Sequence, residues 1–477
     1  MSKHIHFGTD GWRALLGSGF DTGSVQRVAR ATAQAFLTED PHLPRVYVAY
    51  DTREHAGEFA RLAAETIAAE GFEVILSDSY APTPALCWTV SRDPQAIGGI
   101  QLTASHNPAG WLGFKVRMSD GGASPLSFTN RIEELLGVVP PADQKSTAGT
   151  VRVQDLMSSY LEALSNFVDK DAIRSAQIKV LVDPLFGAAR VYLADCLEEL
   201  GLEVARIHDE QDFNFGGLHP EPIEPWVDAA STALRGVSAD AAFVLDGDAD
   251  RLGALDEEGN FVAPPTIIAL LALHLVEGRG QKGRIVKTLS TSQVVDRVAE
   301  SLGAELTTTP IGFKWIYEEM LKGDVLIGGE ESGGIGVPQH LCERDGLLMT
   351  LLLVEMMAQR GQSLKELVAD LEARLGKLYY QRRDLSLAPE MSDQMDRVKA
   401  QLGRLRPAGI AGAKVVDYLS RDGIKFHLED SEWLLLRASG TEPLVRIYAE
   451  AASPCRLALL LGSGEELLQR LVCETAT

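Results

Sequence analysis

The chain has 477 residues and a formal net charge of −22, with 67 acidic against 45 basic side chains. That length predicts roughly three to four domains, with apolar residues enough for several cores. The acidic balance excludes a general nucleic-acid binder, and any anionic substrate has to be met by a local basic pocket.

The five cysteines, Cys87, Cys196, Cys342, Cys455 and Cys473, are scattered and show no CxxC spacing. This argues against a disulfide framework and a structural zinc site and fits a reducing cytoplasm. The N-terminus lacks the apolar core of a signal peptide. The longest greasy segments, Thr266 to Val276 and Gly346 to Met357, are shorter than the ~20 residues a bilayer span needs. A cytoplasmic protein with no membrane association is expected.

Phe7-Gly8-Thr9-Asp10-Gly11-Trp12-Arg13 opens the chain as a tight turn that presents Arg13. A unit then recurs three times: strand, polar cap, amphipathic helix, glycine stop, strand. It begins at Val46 with Asp51-Thr52-Arg53 as cap, at Ile178 with Asp183, and at Arg284 with Ser290-Thr291-Ser292. Asp, Ser and Thr at these places are read as N-caps, and Gly71, Gly201 and Gly303 as C-caps. Three βαβ units predict three related α/β domains in series. Within the first, the apolar run Ile97 to Leu102 reads as a buried strand breaking into Thr103-Ala104-Ser105-His106-Asn107-Pro108. Asn-Pro forces a turn, which should leave the Ser105 hydroxyl exposed at the strand end, where open α/β sheets bind ligands.

The strand Ala241 to Leu245 runs into Asp246-Gly-Asp248-Ala-Asp250-Arg251. Three carboxylates at alternate positions can converge on one hard cation, Mg²⁺ or Ca²⁺. An EF-hand would need glycine where Arg251 stands and a helical flank. Thr309-Pro-Ile-Gly312-Phe-Lys314 and Gly328-Gly-Glu330-Glu331-Ser332-Gly-Gly each follow a strand and offer polar groups on exposed loops. Breaks rich in Pro, Gly or acidic residues give the boundaries 1–146, 147–258, 259–376 and 377–477. The last segment changes in kind. Lys425 to Leu428, Trp433 to Leu436 and Leu444 to Ala449 read as short antiparallel strands, followed by a helix from Pro454 to Val472. Between two of them, Arg437-Ala-Ser439-Gly440-Thr441-Glu442-Pro443, with Arg446, forms a candidate anion nest.

These motifs resemble those of the α-D-phosphohexomutases, over essentially the whole chain and most closely those of the bacterial phosphoglucomutase/phosphomannomutase group. The resemblance implies three mixed, βαβ-containing α/β domains and a C-terminal α+β cap around a central cleft. It implies that Ser105 carries a phosphoryl group and, with Asp246, Asp248 and Asp250, holds Mg²⁺. It makes Lys115 and Arg13 candidates for proton handling. Arg251 would hold the transferring phosphate. Thr309, Lys314, Glu330 and Ser332 would recognise the sugar, and Arg437, Ser439, Gly440, Thr441 and Arg446 the non-reacting phosphate. His106 would support the serine loop. The implied reaction interconverts hexose 1-phosphate and hexose 6-phosphate, with hexose 1,6-bisphosphate as intermediate and activator. The partner is a small sugar phosphate, and the enzyme a monomer or homodimer. Glu331 and Gly334 replace the Met and His of dual-specificity relatives, which favours glucose. Leu112 stands where relatives often have asparagine, which puts a polar contact there in doubt. Phosphomannomutase or phosphoglucosamine mutase activity, a metal-dependent sugar phosphatase and a non-catalytic sugar-phosphate sensor are the alternatives.

Overall fold

The computed structural model describes residues 5–8, 10–40, 42–137, 149–387, 395–438 and 444–476. Four sheets follow one another along the chain. The first holds β1 (Trp12–Leu15), β2 (Arg45–Tyr50), β3 (Glu73–Ser77), β4 (Ala96–Leu102), β5 (Trp111–Met118) and β6 (Thr150–Gln154) in the order β1-β5-β4-β2-β3-β6. The second holds β7 (Lys179–Asp183), β8 (Glu203–Arg206), β9 (Ala241–Leu245), β10 (Leu252–Asp256) and β11 (Phe261–Val262), ordered β11-β10-β9-β7-β8. The third holds β12 (Arg284–Thr288), β13 (Leu306–Thr309), β14 (Val325–Gly329) and β15 (Ile335–Gly336), ordered β13-β12-β14-β15.

One plan is used three times. β2, β7 and β12 each lead through a helix (Ala56–Ala69, Tyr192–Glu199, Val294–Leu302) to a parallel neighbour, β3, β8 or β13. On the other side each pairs in parallel with β4, β9 or β14. Those strands turn back antiparallel into β5, β10 and β15. β4 and β9 are buried along their whole length. This is why they read as unbroken apolar runs and not as alternating ones. A fully buried side chain such as Phe243 contributes about 1.5–3 kcal/mol relative to exposure.

Local expectation fails at the helix starts. The helix Ala56–Ala69 begins after His55 with no side-chain cap, because Asp51 is engaged by Arg53 and Thr103. Gln293, before the third helix, is capped from another domain: its N–H donates to Glu450 Oε1 at 3.0 Å. The glycine stops do hold, with φ of +106°, +95° and +63° at Gly71, Gly201 and Gly303. The first two sheets each run slightly past the boundaries expected at 146 and 258. β6 lies beyond the first yet pairs with β3, and β10–β11 make the acidic 256–260 stretch a hairpin inside the second sheet. Most of the first break, 138–148, lies outside the described residues.

The cap sheet is antiparallel, with β16 (Tyr379–Ser386), β17 (Gly409–Ile410), β18 (Ala413–Leu419), β19 (Ile424–Leu428), β20 (Trp433–Ala438) and β21 (Leu444–Ala451) ordered β16-β21-β20-β19-β18-β17. The helix Pro454–Ala476 follows. Among the described residues no helix is long and apolar enough to cross a membrane.

The cap docks on the third domain through an apolar cluster, Leu289 and Ile311 against Tyr380, Trp433, Leu435 and Tyr448, and through polar groups. Glu450 also accepts from Trp433 Nε1 at 2.8 Å. Lys425 Nζ donates to the Leu289 carbonyl at 2.7 Å and lies 3.7 Å over the Trp433 ring. Burial, and then Lys287, pull the Lys425 ammonium down to about 7, against the opposing pull of Glu450, Asp296 and Glu331. Below that pH both folded and unfolded chains hold the proton, and confining the cation is fully unfavourable. Between there and the ordinary lysine value only the unfolded chain keeps it, so stability rises with pH, by at most about 1.4 kcal/mol per unit. Calorimetry should show cap unfolding moving to higher temperature from pH 7 to 9, and Lys425→Met should remove that pH dependence.

Candidate active site

The loops after β4, β9 and β14 occupy the same place in three sheets, at the carboxyl ends of parallel strands, where such sheets bind ligands. They converge on one cleft of about 470 Å³, lined by residues of all four sheets' domains. That volume suits a sugar phosphate.

The serine loop is held from below. Ser105 has a left-handed φ of +52°, and its N–H donates to Thr103 Oγ1 at 2.8 Å. Thr103 in turn donates to Asp51 Oδ2 at 2.5 Å. The buried Arg53 guanidinium donates to the carbonyls of Ser105, Asn107, Pro108 and Trp111 at 2.6–3.1 Å, and to Asp51. One guanidinium thus satisfies the carbonyls that a sharp turn leaves unpaired. Contrary to expectation, Ser105 is not exposed: it is 1% accessible. The reason lies in the second domain. Gly247 packs so close that a Cβ there would stand 2.5 Å from the Ser105 carbonyl oxygen. The Ser105 hydroxyl donates to Asp246 Oδ2 at 2.8 Å.

Asp246, Asp248 and Asp250 are fully buried, and one carboxylate oxygen from each lies within 4.8 Å of the others. Such crowding is countered by cations. Lys115 Nζ reaches Asp248 at 2.8 Å, Asp10 at 2.9 Å and Asp250 at 3.4 Å. Arg344 reaches Asp250 at 2.9 Å and Asp10 at 2.8 Å. Arg117 bridges Asp10 at 3.2 Å and Glu343 at 2.8 Å. Burial and repulsion from Asp250 and Asp248 push Asp246 well above the usual carboxylate range. At Asp248 burial pulls the same way but loses to Lys115 and the Thr83 hydroxyl, so that carboxylate is held below it. Burial opposes the charge on Lys115, yet Asp10, Asp248 and Asp250 together raise it above the ordinary lysine value. The Oδ1 atoms of Asp248 and Asp250 are buried with no hydrogen-bond partner. Two orphaned anionic oxygens in an all-oxygen donor set fit a hard divalent cation.

Arg13, on β1, donates to Asn107 Oδ1 at 2.8 Å and lines the cleft beside His106. Burial and the guanidiniums of Arg251, Arg13, Arg446 and Arg382 hold His106 well below its ordinary value, so it is a neutral imidazole. Arg251, Lys314, Glu330, Ser332, Arg437 and Arg446 also line the cleft. Glu330 Oε1 accepts the Gly312 N–H at 2.9 Å, and burial with the adjacent Glu331 pushes it up to about 7. Thr309 is not among the lining residues: it is buried, and its hydroxyl donates to the Pro310 carbonyl at 3.0 Å. Ser439, Gly440 and Thr441 lie outside the described residues. Leu112 is buried on β5 opposite Ala14, so it is a core residue.

Several site residues escape a reading of the sequence. Arg53 and Asp51 look like helix caps. Asp10 stands in the opening turn, where Arg13 is the more conspicuous residue. Arg344, Arg382, Glu221 and Thr83 carry no local signal at all.

The chain matches four consecutive models described as phosphoglucomutase/phosphomannomutase: alpha/beta/alpha domain I over residues 4–138, domain II over 158–259, domain III over 264–375, and the C-terminal domain over 380–461. A phosphoglucomutase/phosphomannomutase of Thermococcus kodakarensis is 31% identical, covering 97% of this chain and 98% of that protein. A phosphoglucosamine mutase of Ruminiclostridium cellulolyticum is 28% identical, covering 93% and 94%. A crystal structure of a candidate phosphomannomutase from Thermus thermophilus is similar with a TM-score of 0.86 at 35% identity, covering 98% and 100%. Four consecutive domain matches and this end-to-end likeness make the chain a member of the phosphoglucomutase/phosphomannomutase family, and therefore a phosphohexomutase-type enzyme.

Proposed function

We propose that the enzyme interconverts glucose 1-phosphate and glucose 6-phosphate by reversible phosphoryl transfer through phosphorylated Ser105 and the 1,6-bisphosphate. The observation that carries this reading is the buried Ser105 hydroxyl bonded to the carboxylate cluster, with the adjoining His106, Asn107 and Arg251 lining an arginine-rich cleft. In the forward half, the bond from phosphorus to Ser105 Oγ breaks as one to the sugar hydroxyl forms. The hydroxyl loses its proton and Ser105 Oγ ends with one. Lys115, which Asp10, Asp248 and Asp250 keep protonated, is the group assigned here to deliver a proton to the departing Ser105 Oγ and then to take up the one the hydroxyl gives. Arg13, whose guanidinium does not give up its proton, instead holds the incoming group. Asp246, Asp248 and Asp250, with Ser105, would hold Mg²⁺, which when bound neutralises and polarises the phosphoryl oxygens. Arg251 steadies the transferring phosphate. Glu330 and Ser332 orient sugar hydroxyls and Lys314 their neighbours, while Thr309 fixes the loop. Arg437 and Arg446, with Ser439, Gly440 and Thr441, grip the other phosphate. Reorientation of the bisphosphate then returns its second phosphoryl to Ser105. Because the pieces are prepositioned charges, catalysis is mainly electrostatic and positional.

Preference for glucose over mannose draws support from Gly334. A Cβ there would meet Arg344 Cδ at 2.5 Å. A histidine at 334, as in dual-specificity relatives, would therefore displace the side chain that neutralises Asp250 and Asp10. Parallel turnover on glucose, mannose and glucosamine 1-phosphates tests the substrate, with glucose expected to give the highest kcat/KM. Inorganic phosphate released in place of isomerised sugar would instead mark a phosphatase. Chelation of divalent ions should abolish turnover and Mg²⁺ restore it. Asp248→Asn should lower turnover at saturating Mg²⁺ by at least about 100-fold; full activity under chelation would overturn the metal assignment.

A further inference from the structure

Outside the groups already given a role, one carboxylate stands between two cleft arginines of different domains. Glu221 Oε1 lies 3.6 Å from Arg251 of the metal loop and 3.6 Å from Arg382 of the cap strand β16. Arg382 is aimed by a two-point contact with Asp384, both bonds at 2.7 Å, and Asp384 lies 3.6 Å from Arg446. Alternating charges thus run Arg251, Glu221, Arg382, Asp384, Arg446 from the second domain into the cap. Glu221 is 8% accessible and sits on the turn His219-Pro220-Glu221-Pro222. Its own N–H donates to the His219 carbonyl, and its carbonyl accepts from Ile223, at 2.8 and 2.9 Å. Two prolines and two backbone turn bonds fix the main chain that carries this carboxylate, so the cap must come to it.

We propose that Glu221 is a positioning residue that latches the cap domain onto the second domain. By holding Arg382 it keeps the cleft closed over the doubly phosphorylated sugar while that molecule reorients. The inference rests on the mutase reading for its purpose but not for its geometry. Without the latch the cap opens sooner and the bisphosphate escapes before it can re-phosphorylate Ser105, leaving dephosphorylated enzyme.

Two measurements on the full chain test this. Small-angle scattering without substrate should show a larger radius of gyration for Glu221→Gln and for Arg382→Gln than for wild type. The double variant should be no larger than either single one, because both remove one contact. In turnover, Glu221→Gln should need about tenfold more added glucose 1,6-bisphosphate for half-maximal rate, release more free bisphosphate per turnover, and recover with Glu221→Asp. Unchanged scattering with unchanged bisphosphate dependence, or additive effects of the two substitutions, would overturn the latch. Failure of the mutase reading shows separately, as absent interconversion by wild type with the scattering result intact.

Discussion

Ser105→Ala is expected to remove hexose-phosphate interconversion, lowering kcat by on the order of 10⁴-fold or more, as loss of a covalent nucleophile does. The substitution deletes one oxygen from a packed loop whose shape is set elsewhere, by Arg53 and Thr103. Its structural effect is therefore small. The Asp246 carboxyl loses one donor but keeps the Arg251 N–H at 3.0 Å. Thermal unfolding should shift by no more than a few degrees, equivalent to about 1–2 kcal/mol. Intact-mass measurement should show a phosphoryl increment on the wild-type chain and none on the variant. Undiminished turnover in Ser105→Ala would end the phosphoserine scheme, whatever the metal does.

Arg53→Met is expected to be the most damaging single change to the site that touches no substrate. It strips the donor from four carbonyls and leaves Asp51 buried beside Thr103 with its ion-pair partner gone. Breaking a buried pair on one side costs about 3–5 kcal/mol. Burial already raises Asp51 to about 6 with Arg53 in place. Without Arg53 that carboxyl should take up a proton near neutrality, and Thr103 would lose its charged acceptor. Calorimetry should show the first domain unfolding at lower temperature. Turnover should fall by about 100-fold, since the nucleophile would drift from the carboxylate cluster. Arg53→Lys, which keeps charge but not the forked geometry, should recover only part of either loss.

These two residues also mark what is readable in the chain. Ser105 lies in a hexapeptide whose turn chemistry is local, so its place at the end of β4 can be read directly. The same holds for the aspartates at 246, 248 and 250, whose alternate spacing after a buried strand brings their carboxylates together. Arg53 is not legible in this way because the contacts that matter cross 52 to 58 positions, to a loop it can reach only after β2 and β4 have paired. At Asp51, Ser290 and Gln293 tertiary partners override helix-capping preference: Thr103 donates to Asp51, Glu331 accepts from Ser290 at 2.6 Å, and Glu450 supplies the cap. Ser105 reads as exposed because its cover comes from the second domain. Arg344 meets Asp10 across 334 positions, and no periodicity announces such a meeting.

The metal loop does more than collect carboxylates. Its backbone is stitched to its neighbours: Thr83 N–H donates to the Asp248 carbonyl at 3.0 Å, Gly346 N–H to Ala249 at 3.1 Å, and Leu252 N–H to Gly333 at 3.0 Å. Main-chain seams of this kind leave little slack, because sliding any of them exposes unpaired peptide groups in a dry interior. The first three domains would therefore serve as a stator for the cap opening proposed above. Substitutions that loosen the seams should blur the reaction geometry itself, whereas those in the cap's attachments should change how often the chamber opens.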